Sequence, residues 1–166
     1  MYLNALYGNF SFCHNKPDCK KSINQKEKYM PLSKTYLKDL VYQVNGAAIE
    51  VHKCIGPGLL ESVYHNCLVK ELSIRGFNFQ SELCIPINYK GLEVEANLRC
   101  DLMVENALVV ELKSVESIKP IFEAQMLTYM KLLELPMGLM INFNVTNIYK
   151  EGQKTYVNEL YRYLED

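Results

Sequence analysis

A glutamate and a lysine stand two positions apart at the end of the apolar segment Leu108 to Lys113. The Val and Leu content of this segment predicts a β-strand. Side chains alternate across a strand, so Leu108, Val110 and Leu112 share one face, while Glu111 and Lys113 project from the other. Burying two such charges is costly unless they are paired or bind a ligand. An ion pair on an exposed face is the simpler interpretation, because Glu-x-Lys tripeptides are common.

A third charged residue, Asp101, precedes Glu111 by ten positions, across a turn predicted at Glu105-Asn106. In a hairpin centred on that turn, Asp101 faces Val110 or Glu111, and a one-residue bulge would set the final register. Two carboxylates then converge beside one lysine, which suits a hard divalent ion such as Mg²⁺. Such an ion lowers the pKa of a bound water, while Lys113 would position the water or stabilise the developing negative charge.

Two more segments carry polar side chains that could join this group. Gln125 and Tyr129 are spaced i, i+4 on a predicted helix, on a face that we expect to differ from the apolar stripe. Glu61 lies in the first turn of another predicted helix. Each has a plain structural interpretation, because tyrosines occur on helix surfaces and carboxylates are favoured at helix starts.

The apolar periodicity predicts the elements that must position these residues. Ser33 is a candidate N-cap for a first helix reaching about Cys54, and Gly56-Pro57-Gly58 ends it. A second helix is predicted from about Leu60 to Ile74, with its buried stripe at Val63, Cys67, Leu68, Leu72 and Ile74. A third is predicted from Pro120 to Leu133, with its apolar positions at Ile121, Ala124, Leu127, Met130 and Leu133.

Period-two patterns predict the strands. The predicted strands are Phe77 to Tyr89, Leu92 to Asn97, Arg99 to Val104, Ala107 to Ser114 and Met137 to Phe143. A helix between the last two makes them parallel neighbours joined by a right-handed crossover. The expected fold is therefore α/β, a mixed sheet flanked by helices. Residues 33–166 form its single domain, after a poorly ordered N-terminal extension at residues 1–32.

Several short motifs together resemble a small prokaryotic group, the GxxExxY proteins, which is classed with the PD-(D/E)xK nuclease superfamily. Gly58 to Tyr64 reads GLLESVY, which fits the GxxExxY signature. The surrounding matches are Gly46 to His52, Arg99 to Asp101, Val110 to Lys113, Glu123 to Gln125 and Ile141 to Asn144. Cys100 stands where the superfamily name has proline.

The resemblance implies a restriction-endonuclease-like core that cleaves nucleic acid with Mg²⁺ or Mn²⁺, with DNA as the expected substrate. It matches Asp101 to the first acid of the motif and Glu111-Leu112-Lys113 to (D/E)xK. It matches Glu61 to a helix glutamate that completes the metal site with Asp101 and Glu111. Gln125 and Tyr129 match the glutamine–tyrosine motif of RecB-type nucleases, where they would brace the lysine or touch the substrate.

Composition sets limits on this interpretation. The formal charge of the 166-residue chain is −1, and residues 31–166 carry 13 basic and 17 acidic side chains, which argues against tight, non-specific DNA binding. No apolar run is long enough for a bilayer, so we expect a cytoplasmic protein without a membrane partner. The six cysteines are expected to be reduced and mostly in the core.

Two alternatives to an enzyme follow from the same residues. The first is a nuclease-like fold that serves as a binding or assembly module without turnover, which the acidic balance favours. The second is a structural protein, which would require the carboxylates to point apart. An edge strand at Phe77 to Tyr89 would also permit a homodimer.

Overall fold

The computed structural model describes residues 32–94 and 98–166, so the predicted N-terminal extension lies almost wholly outside the described residues. In chain order the described elements are α1 Lys34–Ile55, α2 Glu61–Ile74, β1 Phe79–Cys84, β2 Ile87–Tyr89, β3 Leu92–Val94, β4 Arg99–Val104, β5 Leu108–Lys113, α3 Pro120–Leu132, β6 Met137–Asn142, α4 Ile148–Glu151, β7 Gln153–Val157 and α5 Glu159–Arg162. No helix within these ranges combines the length and the hydropathy that a bilayer crossing requires.

The central sheet has five strands in the order β1-β4-β5-β6-β7. β5 and β6 are parallel, and the other neighbouring pairs are antiparallel. α3 connects β5 to β6, as a parallel pair requires. The predicted mixed sheet flanked by helices is therefore confirmed.

The sheet separates two clusters of buried side chains. Leu108, Val110 and Leu112 of β5 pack in one cluster with α1 and α2. Val109 packs in the other with Met126 and Met130 of α3. Because side chains alternate along β5, Glu111 and Lys113 lie on the α3 side of the sheet.

The first helix follows its prediction closely. Ser33 caps it, since its hydroxyl oxygen accepts a hydrogen bond from the amide of Tyr36 at 3.1 Å, and Gly56 ends it with a φ of 69°. All the apolar positions of the stripe are buried: Leu37, Leu40, Val41, Val44, Ala47, Ala48 and Val51.

The other two long helices bury only part of the stripes predicted for them, with Leu68, Leu72 and Met130 buried as predicted. In α2 the buried residues are Tyr64, Leu68 and Leu72, while Val63 and Ile74 are exposed. In α3 they are Met126, Tyr129 and Met130, while Ile121, Ala124 and Leu127 are exposed. In α3 the error arose because Tyr129 was treated as a surface residue, whereas a tyrosine ring packs well in a core when the hydroxyl finds a partner.

The predicted strand Phe77 to Tyr89 is wrong as a single element. β1 ends at Cys84, and β2 begins at Ile87 in a separate two-stranded sheet with β3. Pro86 lies at the break because it has no amide with which to continue the ladder. β1 itself is an edge of the main sheet, as expected for this segment.

The hairpin of β4 and β5 has the predicted turn and register. Glu105 and Asn106 both have positive φ, 53° and 50°, as a two-residue type I′ turn requires. Leu102 pairs with Val110 and Val104 with Leu108. The pairing of β4 with β5 ends at Leu102. At the next residue, Asp101, the regular alternation of side chains between the two faces of the sheet is interrupted.

Candidate active site

The change of facing at Asp101 positions its carboxylate. Leu102 packs in the α1/α2 cluster, whereas Cys100, two positions away, packs in the α3 cluster. A regular strand would put both on one face. Opposite this point β1 is also irregular, since Glu82 has a φ of 51°. The Asp101 side chain is thereby turned towards β5, where its Oδ2 accepts a hydrogen bond from the amide of Leu112 at 2.7 Å.

Glu111 and Lys113 form a buried ion pair. They are 3% and 7% exposed, and Lys113 Nζ donates to Glu111 Oε1 at 2.8 Å. The ammonium also lies 5.5 Å from the centre of the Phe122 ring of α3. The simpler interpretation of an exposed ion pair is therefore excluded. Burial of such a pair costs free energy that the mutual attraction only partly offsets.

The surroundings of Glu111 change the pKa of its carboxyl group. Burial, and then the charge of Asp101, raise the pKa of Glu111 to about 7, although Lys113 and the Asp101 amide act in the opposite direction. Its second oxygen, Oε2, is buried and has no hydrogen-bond partner among the described residues. A buried oxygen left in this way is unusual in native proteins and calls for an explanation such as an ion or a catalytic role.

Glu61 lies at the first position of α2. The residue as a whole is exposed, but its carboxyl end is partly enclosed, and this burial raises its pKa. Lys113 lowers that pKa and Asp101 raises it, while the amide of Ser114 favours the ionised form. Glu61 therefore lies within electrostatic reach of two of the residues predicted to act with it.

The structure does not bring all three carboxylates into one preformed metal site. Across residues 32–94 and 98–166, no three His, Cys, Asp or Glu side chains are placed so that they could hold one ion. Asp101, Glu111 and Lys113 are brought together, as the sequence predicted. Glu61 stands beside them at the edge of the group.

Gln125 and Tyr129 contact each other on the site side of α3. Gln125 Nε2 donates to the Tyr129 hydroxyl at 2.7 Å, and Tyr129 is 2% exposed. Burial, followed by the charge of Glu111, raises the pKa of Tyr129 to about 12, so the phenol stays neutral. The α3 side chain in cation–π contact with Lys113 is Phe122, which the sequence analysis did not select.

Burial also keeps the neighbouring thiol neutral. Cys100 is completely buried, and burial, with the charges of Glu111 and Asp101, raises its pKa to about 12. A thiol with such a pKa is unreactive at neutral pH. The described cysteines are all free, as expected, but Cys54 and Cys84 are exposed rather than in the core.

His65 was not selected as a functional residue from the sequence, because a lone histidine on a helix is more often structural. Its Nε2 lies 3.3 Å from the carbonyl oxygen of Asp101 and 3.1 Å from the hydroxyl of Ser81. It therefore ties α2 to both irregular strands at the point where Asp101 changes facing. The signal that could have found it is its i, i+4 spacing from Glu61 on one helix face.

Tyr64, the tyrosine of the GxxExxY signature, has a structural task. Its hydroxyl donates to the carbonyl of Gly56 at 2.8 Å and accepts from the amide of Leu59 at 3.0 Å. Its ring stacks on Phe143 with 4.4 Å between the centroids. The side chain holds the loop that leads into Glu61.

Comparison with known proteins agrees with this geometry. The sequence model of the PD-(D/E)XK nuclease superfamily matches residues 38–155, a span that includes all the residues of the candidate site. No curated protein and no solved structure matches the chain. Membership in the narrower GxxExxY group stays a prediction. The acid at the irregular point of β4, the Glu-x-Lys pair of β5 and the match over most of the chain agree, and the chain belongs to the PD-(D/E)XK nuclease superfamily.

Proposed function

We propose that this protein is a divalent-metal-dependent phosphodiesterase that hydrolyses nucleic acid, with DNA as its substrate. The observation that carries the proposal is the buried Glu111–Lys113 pair beside Asp101, with one oxygen of Glu111 left without a partner. A domain that needed only stability would gain by replacing such a pair with apolar side chains. Its retention at the position of the superfamily motif supports a chemical role.

The donor atoms fit Mg²⁺ or Mn²⁺ in kind. Mg²⁺ is commonly held by one or two carboxylates together with waters and substrate phosphate, so a preformed three-residue site is not required. Asp101 and Glu111 would hold the ion, with Glu61 and the carbonyl of Leu112 completing its surroundings. The ion would lower the pKa of a bound water and offset negative charge on the phosphate.

The protein side chains supply the remaining functions. Lys113 would orient the attacking water with its ammonium and stabilise the charge that develops on the phosphate oxygens. Water attack at phosphorus breaks one P–O bond and leaves a phosphate monoester and a hydroxyl end. Phe122 and the Gln125–Tyr129 pair would keep the lysine side of the site dry, where its charge acts more strongly.

A binding or assembly module without turnover is the second candidate. The excess of acidic side chains in residues 31–166 favours it, because non-specific affinity for DNA comes mainly from cationic groups. The incomplete convergence of Glu61 with the other two carboxylates also favours it. Such a module would bind nucleic acid or protein and cleave neither.

Replacement of Lys113 by methionine tests the enzymatic proposal. Lys113→Met keeps most of the buried volume and removes the charge, so it disturbs the fold less than Lys113→Ala. We expect cleavage of plasmid and single-stranded circular DNA with Mg²⁺ or Mn²⁺ to fall by about 100-fold or more, consistent with loss of a key electrostatic group.

The control is Lys131→Met, at an exposed position in the last turn of α3, which should cleave like the wild type. Circular dichroism checks that both variants fold. Equal cleavage by Lys113→Met and the wild type would refute the role of the lysine. Absence of cleavage by the folded wild type with either metal would favour the binding module.

A further inference from the structure

A partly apolar cleft lies directly beside the candidate site. Its volume is about 420 Å³, within the range of roughly 300–1,000 Å³ that small-ligand sites occupy. It lies between the loop before α2, the first turn of α2 and the residues that follow β5 and β6. The lining residues are Gly58, Leu59, Leu60, Val63, Ser114 and Asn144.

The cleft and the candidate site share their backbone. Leu60 immediately precedes Glu61, and Ser114 immediately follows Lys113. The Ser114 hydroxyl donates to the carbonyl of Leu59 at 2.6 Å, and its amide favours the ionised form of Glu61. A group seated in the cleft would therefore lie against the residues that flank Glu61 and Lys113.

The walls of the cleft have the chemistry that a nucleobase requires. Leu59, Leu60 and Val63 are 40%, 75% and 38% exposed, so the cleft presents three apolar side chains to the solvent. Asn144 also lines the cleft, and its backbone amide donates to Asn142 Oδ1 at 3.2 Å. Apolar side chains accept the face of a base, and an amide offers both a donor and an acceptor to its edge.

The excess of acidic side chains in the domain also favours a contact with a base over contacts with phosphates alone. With more acidic than basic side chains in residues 31–166, phosphate contacts alone provide little affinity. Stacking of a base against the protein adds affinity that does not depend on cationic side chains. A stacked, paired base exposes only its groove edges, so only an unpaired base can enter the cleft.

We propose that this cleft holds one unpaired nucleobase next to the scissile phosphate, so that the substrate is single-stranded nucleic acid. This assignment rests on the proposed phosphodiesterase function. It makes Leu60, the most exposed apolar residue of the cleft, a determinant of substrate choice.

An abasic scan tests the base site. A single-stranded oligonucleotide of mixed sequence is cleaved by the wild type to locate the scissile phosphate, and one abasic residue is then placed at each position in turn. We expect cleavage to fall by about fivefold or more when the abasic residue adjoins the scissile phosphate, as for loss of one stacked base. Leu60→Ala should lower cleavage of the intact strand similarly and should be indifferent to that abasic residue.

The matched control is Ile74→Ala, which removes an equally exposed aliphatic side chain (67%) at the far end of the same helix, about 20 Å away. It should respond to the abasic scan like the wild type. Fully paired circular DNA should be cleaved at least about tenfold more slowly than its single strand.

Binding measured without turnover separates this inference from the enzymatic proposal. Fluorescence anisotropy of the Lys113→Met protein reports affinity for the same oligonucleotides. Abasic-sensitive binding by this variant, together with a folded wild-type protein that cleaves nothing, would support the base site and refute the nuclease. The inference would be overturned if neither cleavage nor binding changed at any abasic position or in Leu60→Ala. The cleft would then have another occupant, even if the protein is a nuclease. Equal cleavage of paired and single-stranded DNA would also overturn it.

Discussion

At the scale of single residues, the candidate site combines charged side chains with burial, which disfavours their charged forms. The orientation of Glu111 and Lys113 could be predicted from the alternation of side chains along a strand. The position of Asp101 could be predicted from its spacing across the hairpin turn, because both depend on local sequence. The pKa of Glu111 was not predictable, since it depends on burial by α3 and on the turned carboxylate of Asp101. The residues around Glu111 signal neither of these two effects.

The raised pKa of Glu111 makes stability depend on pH. Its pKa rises from 4.5 when unfolded to about 7 when folded, so the folded state binds the proton more tightly. Stability from this group is therefore full below about pH 4.5 and is lost as pH rises towards about 7. One pKa unit corresponds to about 1.4 kcal/mol, so we expect a loss of about 3 kcal/mol over that window.

Urea unfolding in metal-free buffer between pH 5 and pH 8 measures this loss. Glu111→Gln should flatten the dependence, because its amide does not titrate, whereas the exposed control Glu116→Gln should retain it. An unchanged pH slope in Glu111→Gln would assign the dependence to another group.

At the scale of elements, prediction succeeded where one face is uniformly apolar and failed where polar atoms are buried. The stripe of α1 consists of aliphatic residues, and all of it is buried. The buried faces of α2 and α3 each include a tyrosine whose hydroxyl has a hydrogen-bond partner, Gly56 for Tyr64 and Gln125 for Tyr129. α3 also approaches β6 closely at Gly138, where an added Cβ would clash with the Met126 sulfur. Periodicity alone does not encode such contacts.

The hydroxyl of Tyr64 is expected to stabilise the loop before α2. Tyr64→Phe keeps the ring that stacks on Phe143 and removes the hydrogen bonds to Gly56 and Leu59. We expect the free energy of unfolding to fall by about 1–2 kcal/mol and cleavage to weaken, because Glu61 follows this loop directly.

Urea denaturation and the cleavage assay measure both effects. Tyr42→Phe is the matched control, since Tyr42 is 80% exposed, and it should change neither quantity. If Tyr64→Phe matched the wild type in both, the loop would not depend on this hydroxyl.

At the scale of the whole molecule, the order of strands and helices up to β6 could be predicted because the β4–β5 turn and the β5–α3–β6 crossover each allow few arrangements. The division of the β1–β2 segment between two sheets was missed, and so was the simultaneous distortion of β1 and β4 at Glu82 and Asp101. The distortion requires two strands to be irregular together, which neither strand signals alone. A homodimer through the β1 edge stays a prediction.

The superfamily match and the turned carboxylate together lead to one claim about the molecule. Asp101 and Glu111 should bind a divalent ion that the chain uses to cleave phosphodiester bonds. Asp101→Asn is the sharpest variant, because an asparagine oxygen can still accept the Leu112 amide while one negative charge is lost.

Titration calorimetry with Mn²⁺ at pH 7.5, above the pKa of Glu111, tests this claim most directly. The account predicts one site per wild-type chain, weakened by about tenfold or more in the folded Asp101→Asn protein. Equal Mn²⁺ binding by the two proteins, or no binding by the wild type, would contradict it.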